Sequence, residues 1–360
     1  MIKPSPDFSR LRKALLRQGE PDRVPFYELF VDGEIIEAVI KKPLTKLDIN
    51  KSEEKKQYVK WLVEFYYNTG YDYVPLPIGT VFPCTNTLQA EDTASLPRSV
   101  RSWQDEHRGT IETREDFEKY KWTDIKSIDF SIFELMSKNL PDGMKMIPLG
   151  PGGVLENVMW LMGYEPMSYA IYEDPRLIQE MFDRVGWTLE KVFDTFTRMD
   201  NVGALALGDD MGFKTQTMIS PEMLRKYVFP WQKKIVEVAH RKNLPLILHS
   251  CGNLESVMDD LIDYVGIDAK HSYENVIMPI TEAKKKYGNR IAVLGGIDVD
   301  ILSRLSEKEV RKEVTRILYE CAPGGGYALG SGNTIANYVK LENYLAMLDE
   351  GSKYEFQVKS

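Results

Sequence analysis

The chain has four histidines and three cysteines, and one of each stands two residues apart, at His249 and Cys251 in "LILHSCGN" (247–254). In an extended strand, residues i and i+2 project to the same side, about 6–7 Å apart. An imidazole nitrogen and a thiolate can then converge on one ion, and that donor pair suits tetrahedral zinc. The competing reading is a hydrogen-bonded histidine beside a buried thiol, since free cysteine often behaves as a small buried hydrophobe. A second stretch with chemical potential is "GDDMG" (208–212), where Asp209 and Asp210 are adjacent. Successive strand residues face opposite ways, so one of the two carboxylates is expected to face a cavity. Alternatively, they cap the following turn through backbone N–H groups.

These residues sit at the ends of short apolar segments bounded by Gly, Pro or Asp. The segments are "VPFYELF" (24–30), "YDYVPLP" (71–77), "KMIPLG" (145–150), "GALALGDD" (203–210), "PLILHSC" (245–251), "VGIDAKH" (265–271), "IAVLGGID" (291–298) and "GYALGSG" (326–332). Helical patterns lie between them. One spans roughly 52–68; another over 220–242 opens with Ser220 and Pro221; a third over 306–322 opens with Ser306 and has Glu309 three residues on, a capping-box spacing. Alternating strands and helices predict parallel pairing. Eight units predict a single α/β domain over 1–360, a (β/α)8 TIM-type barrel. The "GPGGV" at 150–154 lacks the GxGxxG spacing of a dinucleotide loop. Residues 79–142 are too long for a simple βα loop; "RSWQDEHRGTIET" (101–113) alternates like a hairpin and "REDFEKYKW" (114–122) reads as a short helix. The whole stretch reads as a lid-like insertion after the second strand.

In such barrels the active site lies at the C-terminal ends of the strands. That rim collects Asp209, Asp210, His249, Cys251, His271, Asp298 and Ser331, with Glu28 near the end of the first strand. Two residues alone do not complete a zinc shell. Cys321 ends the helix before the last strand, which places it at the opposite face as a structural thiol, and Cys84 lies in a loop after strand two. Asp209, Asp210, His271 and Ser331 are the other candidates, although His271 also reads as a substrate contact or a satisfied structural histidine. The aromatics Tyr27, Phe30, Trp160 and Tyr164 are expected either to line an apolar pocket or to belong to the core.

With 43% hydrophobic and 28% charged residues in 360, the chain can bury a large core under a polar surface. No apolar run reaches the roughly 18–20 residues that span a bilayer. The first residues lack the apolar core of a signal peptide, so a cytoplasmic location without membrane contact is expected. Three scattered cysteines do not make a disulfide framework. The net charge of −8 argues against nucleic-acid binding.

Taken in order, "PDRVP" (21–25), the stretch beginning "MGYEPMSYAIYEDPR" at Met162, "GDDMGFKTQTMISPEML", "HSCGN", "VGIDAKH", "IAVLGGID" and "GYALGSGN" resemble the uroporphyrinogen decarboxylase superfamily over nearly the whole chain. One branch of that superfamily decarboxylates uroporphyrinogen without a cofactor. The other contains zinc-dependent methyltransferases that work with corrinoid proteins. The decarboxylase branch carries an arginine-containing segment where this chain has "YELFVDGE" (27–34), and an aspartate near the end of strand two, whereas Asp72 stands at that strand's beginning. The methyltransferase branch is similar at His249 and Cys251. Its coenzyme M members add a third cysteine after strand eight, where this chain has Ser331 in "LGSGN".

The resemblance therefore implies transfer of a methyl group between a small methylated substrate (ether, amine or thiol) and the cobalt of a separate corrinoid protein. His249 and Cys251 would hold zinc, with Asp210 or His271 completing the shell or protonating the leaving group. Tyr27, Trp160, Tyr164, Asp209 and Ser331 would contact the substrate. No corrinoid-binding segment is recognisable, so the cobamide is expected on a partner. The alternatives are a metal-free decarboxylase and a non-catalytic tetrapyrrole- or corrinoid-binding barrel.

Overall fold

Among the residues described by the computed structural model (3–92, 94, 96 and 100–356), the apolar runs form a parallel sheet of seven strands. In sheet order these are β1 (Tyr73–Pro77), β4 (Lys145–Leu149), β5 (Leu205–Gly208), β6 (Leu246–His249), β7 (Ala269–His271), β8 (Ala292–Ile297) and β9 (Tyr327–Ser331). β2 (Thr87–Glu91) and β3 (Val100–Gln104) form a separate antiparallel pair. The parallel strands are buried almost throughout, as expected where helices cover a parallel sheet.

The first expected strand does not form as one. The backbone of residues 24–31 pairs with β9 and its extension only through isolated bridges, Phe26 to Leu329 and Val31 to Ile335. Leu329 N–H donates to the Pro25 carbonyl at 2.9 Å, and Tyr27 N–H donates to the Leu329 carbonyl at 2.8 Å. Pro25 has no N–H to continue a ladder, which limits regular pairing here. The expected eight-stranded barrel is thus seen as a seven-stranded parallel α/β sheet with this segment alongside its last strand.

The hairpin also differs from expectation. The alternating stretch 101–113 supplies only one arm, β3, which pairs in the register Leu88 with Trp103 and Gln89 with Ser102. The helix at Arg114–Lys119 does form, closed by a Thr113–Asp116 capping box.

Of the helices that carry the rim, Glu307–Cys321 starts at the expected Ser306–Glu309 capping box. The expected helix over 220–242 begins where Ser220 Oγ accepts from Met223 N–H. It then widens to a π-turn at Leu224–Val228 before continuing as Phe229–His240. Pro230 cannot donate into the preceding turn, and the wider turn accommodates that gap. No helix among the described residues is long and apolar enough to cross a membrane.

Candidate metal centre

β5, β6 and β7 lie side by side in a register that sets Gly208 beside His249 and His249 beside His271. The residues just beyond β5 and β6 are consequently neighbours. Asp210, His249 and Cys251 each offer a donor atom, all within 4.8 Å of one another. Cys251 Sγ lies 3.6 Å from His249 Nε2, and Asp210 Oδ1 lies 3.8 Å from that nitrogen. Asp210 Oδ1 also accepts the Cys251 backbone N–H at 2.7 Å. Its side chain is 34% exposed, whereas that of His249 is 7% exposed. The cluster is therefore closed behind and open on the Asp210 side.

Two glycines permit this approach. Gly252 has φ +82°, and a Cβ there would stand 2.0 Å from the Gly212 carbonyl oxygen. Only a residue without a side chain fits both the backbone conformation and the gap. The glycines of "GDDMG" and "HSCGN" thus press the two loops together.

Behind the cluster the hydrogen bonds specify proton positions. His271 Nε2 is 3.1 Å from the Ser331 carbonyl oxygen. A carbonyl only accepts, so this nitrogen carries the hydrogen. His249 Nδ1 and His271 Nδ1 are 2.8 Å apart. Burial holds the His271 imidazole well below its ordinary pKa and lowers that of His249 to about 3. With neutral rings, His271 Nδ1 is the acceptor and His249 Nδ1–H the donor. His249 Nε2 is left with its lone pair directed at Cys251 and Asp210. An outer hydrogen bond that sets the tautomer of a ligand histidine is the usual support of a metal site.

The sulfur is prepared too. Burial pushes the Cys251 thiol up to about 12, so a free thiolate is disfavoured here. Asn333 Nδ2 and Ser272 Oγ approach Cys251 Sγ at 3.2 and 3.4 Å as donors. The fully buried Lys270 donates to the carbonyls of Ser250, His271 and Ser272 at 3.1, 3.3 and 2.7 Å. This ammonium ties together the loops that follow β6 and β7.

Three expected substrate contacts are instead engaged inside the protein. Asp209 is fully buried and accepts from the N–H groups of Val154, Leu155 and Glu156 at 2.9–3.1 Å and from Gln232 Nε2 at 2.8 Å. It caps the start of helix Val154–Met162 from the neighbouring strand, so Asp210 is the carboxylate that faces outward. Ser331 is fully buried; its N–H donates to Glu28 Oε1 at 2.7 Å and its hydroxyl to Glu28 Oε2. Tyr27 is 1% exposed and stacks on Tyr73, with its ring 5.0 Å from that of His271. Of the remaining rim aromatics, Phe30 lines a different cavity. Trp160 and Tyr164 do share one with Phe213.

The expected catalytic His271 lies behind His249 rather than within the cluster. Cys321 is fully buried, and Cys84 Sγ approaches the Trp160 carbonyl at 3.5 Å; neither joins the donor group. Sequence reasoning overlooked Ser272, which immediately follows β7, and Asn333, two residues beyond β9, and also Lys270 within β7 and Phe213, five residues beyond β5. The nearness of Ser272 and Asn333 to strand ends was the available signal.

The family model for uroporphyrinogen decarboxylase (URO-D) matches residues 107–354. The chain belongs to the uroporphyrinogen decarboxylase family. Curated relatives named uroporphyrinogen decarboxylase include one from Alkalilimnicola ehrlichii, 22% identical over 193 residues (52% of this chain, 49% of the relative). Another, from Geobacter sulfurreducens, is 30% identical over 136 residues, 37% of either chain. The chain spans about half the length, or less, of the curated relatives it matches. A solved methyltransferase from Methanosarcina mazei superposes with a TM-score of 0.71 over 96% of this chain and 98% of that one, at 15% identity. At that identity the likeness establishes a shared fold for this family member.

Proposed function

We propose that this family member is a zinc-dependent methyltransferase that moves a methyl group between a small methylated substrate and the corrinoid of a separate protein. The observation that carries the reading is the Asp210–His249–Cys251 cluster, with the His249 lone pair turned into it. A nitrogen, a sulfur and a carboxylate oxygen fit zinc, with a further position open for a substrate atom. Bound there, zinc would supply Lewis acidity to a substrate heteroatom that has a lone pair to give. The chain's own groups prepare for it: His271 orients His249, while Ser272 and Asn333 support negative charge on the Cys251 sulfur. Within one domain, residues 79–142 serve as a lid-like insertion, a role supported by Asp105 and Glu106 bordering the cavity of Trp160 and Tyr164.

The names of the curated relatives favour a second reading, cofactor-independent decarboxylation of a tetrapyrrole. An octacarboxylate needs converging cations. Arg10 and Arg23, however, bind Asp72 before β1, at the opposite end of the strands.

Metal analysis of anaerobically purified protein tests the proposal. About one zinc per chain is expected, lost in Asp210→Ala, His249→Ala and Cys251→Ala, as is methylcobalamin formation from cob(I)alamin and a methylated donor. Absence of zinc after reconstitution, with carbon dioxide released from uroporphyrinogen, would establish the second reading.

A further inference from the structure

Along the loop that carries Asp210 lies a cavity of about 230 Å³ whose walls are Trp160, Tyr164 and Phe213 with Met159 and Met218, bordered by Asp105 and Glu106. The loop that carries Asp210 continues into Phe213. That loop touches the one carrying Cys251, where Asn253 N–H donates to the Phe213 carbonyl at 2.7 Å. The rings of Tyr164 and Phe213 stand at 85° with centroids 5.8 Å apart, forming a corner. Tyr164 is held there by its hydroxyl, which donates to the Met218 carbonyl at 2.7 Å. Trp160 and Phe213 are 37% and 44% exposed, so their rings are available to a ligand.

Among the described residues, the charge in this cavity has one sign: its charged lining groups are the carboxylates of Asp105 and Glu106, with no lysine or arginine beside them. Glu106 makes no salt bridge among the described residues. The nearby His107 is turned to Glu165, with Nδ1 to Oε2 at 2.7 Å. Aromatic faces attract cations through the ring quadrupole, and adjoining carboxylates add to that attraction. The volume falls below the roughly 300–1,000 Å³ of drug-sized pockets, which suits a compact ligand and not a tetrapyrrole.

We infer that the corner formed by Trp160, Tyr164 and Phe213, with Glu106 at its edge, binds a methylated ammonium group. This deepens the proposed function, on which its catalytic meaning rests, by naming methylated amines over aryl ethers as the substrate class. A quaternary ammonium nitrogen has no lone pair to give zinc, so the aromatic corner and not the metal would hold it, and heterolysis of its C–N bond leaves the electron pair on nitrogen. The donor departs as a neutral tertiary amine with no proton to be supplied, and the methyl group is taken up by the electron pair of the reduced corrinoid acceptor.

Binding to the full-length protein can be measured by calorimetry without corrinoid, using choline, its neutral carbon isostere 3,3-dimethylbutan-1-ol, and anisole. Choline is expected to bind about tenfold more tightly than the isostere, with that preference reduced in Trp160→Leu and in Glu106→Gln. Glu106 is exposed, so the second variant is expected to keep the native melting temperature. Equal binding of choline and its isostere, tighter binding of anisole, no binding of choline at millimolar concentration, or a preference untouched by both variants would each overturn the inference. Failure of choline in a protein that holds zinc and methylates cob(I)alamin from another donor would remove this inference alone. Selective choline binding to a protein that takes up no zinc would support the cation site and remove the proposed zinc chemistry.

Discussion

At the scale of single residues, the site depends on which ring nitrogen carries a hydrogen. The Ser331 carbonyl makes His271 Nε2 a donor, and the chain of two rings then delivers the His249 Nε2 lone pair to the cluster. His271 is therefore a positioning residue. Replacing it as His271→Phe preserves a buried ring but removes the acceptor for His249 Nδ1–H. Zinc affinity is expected to fall by about 10–100-fold, with the native far-ultraviolet circular dichroism retained. Cobalt(II) substituted for zinc provides a second readout, because a His249 tautomer change would alter its visible absorption. Unchanged affinity and spectrum would show that the histidine pair has no hold on the metal. His249 and Cys251 were legible as a donor pair from their spacing alone, and Asp210 stood among the candidates for a third donor. Their separation from Asp209 and His271 needed side-chain directions, which adjacent positions in a sequence do not specify.

At the scale of elements, the cluster exists because two loops approach to backbone contact. A methyl group at position 252 would require φ +82° and would collide with the Gly212 carbonyl. Gly252→Ala is expected to cost at least about 2 kcal/mol in urea denaturation, through left-handed strain and loop displacement together. It should also weaken zinc binding, although residue 252 donates no ligand; a variant with native stability and zinc content would contradict this account. The Ser306 capping box and the Ser220 cap were readable because they are local, within four residues of chain. The carboxylate that caps helix Val154–Met162 was not, since Asp209 arrives from 53–55 residues away. The second arm of the hairpin, Thr87–Glu91, alternates only through Leu88 and the small Ala90 and is exposed throughout, so its periodicity was too weak to reveal it.

At the scale of the whole molecule, the beginning of the chain is held to its last strand by Glu28, whose carboxyl meets Ser331 across 303 residues. Burial raises the Glu28 pKa from 4.5 to about 8. The folded state therefore binds more protons than the unfolded chain between these values. Its stability contribution falls as pH rises through this window and levels off above about 8. Glu28→Gln cannot ionise, and its stability relative to the native protein is expected to increase from pH 5 to 8, measured by denaturation at constant ionic strength. A pH-independent difference would show that Glu28 does not titrate in this range. At the other end of the strands, Arg10 and Arg23 converge on the buried Asp72. That end is occupied by structural ion pairs, and the end bearing Asp210, His249 and Cys251 by potential metal donors, a division common in α/β barrels.

The sequence by itself determined the alternation of buried strands and helices, hence parallel pairing, and the donor types His249 and Cys251 at one strand end. These follow from local periodicity and from the two-residue repeat of an extended chain. The tertiary structure decided which carboxylate joined them, how His271 serves His249, and why Ser331 answers to Glu28. It also determined that Tyr27 is core while Trp160, Tyr164 and Phe213 share a cavity. Each of these depends on side-chain direction or on contacts between segments distant along the chain, and neither is encoded in spacing alone.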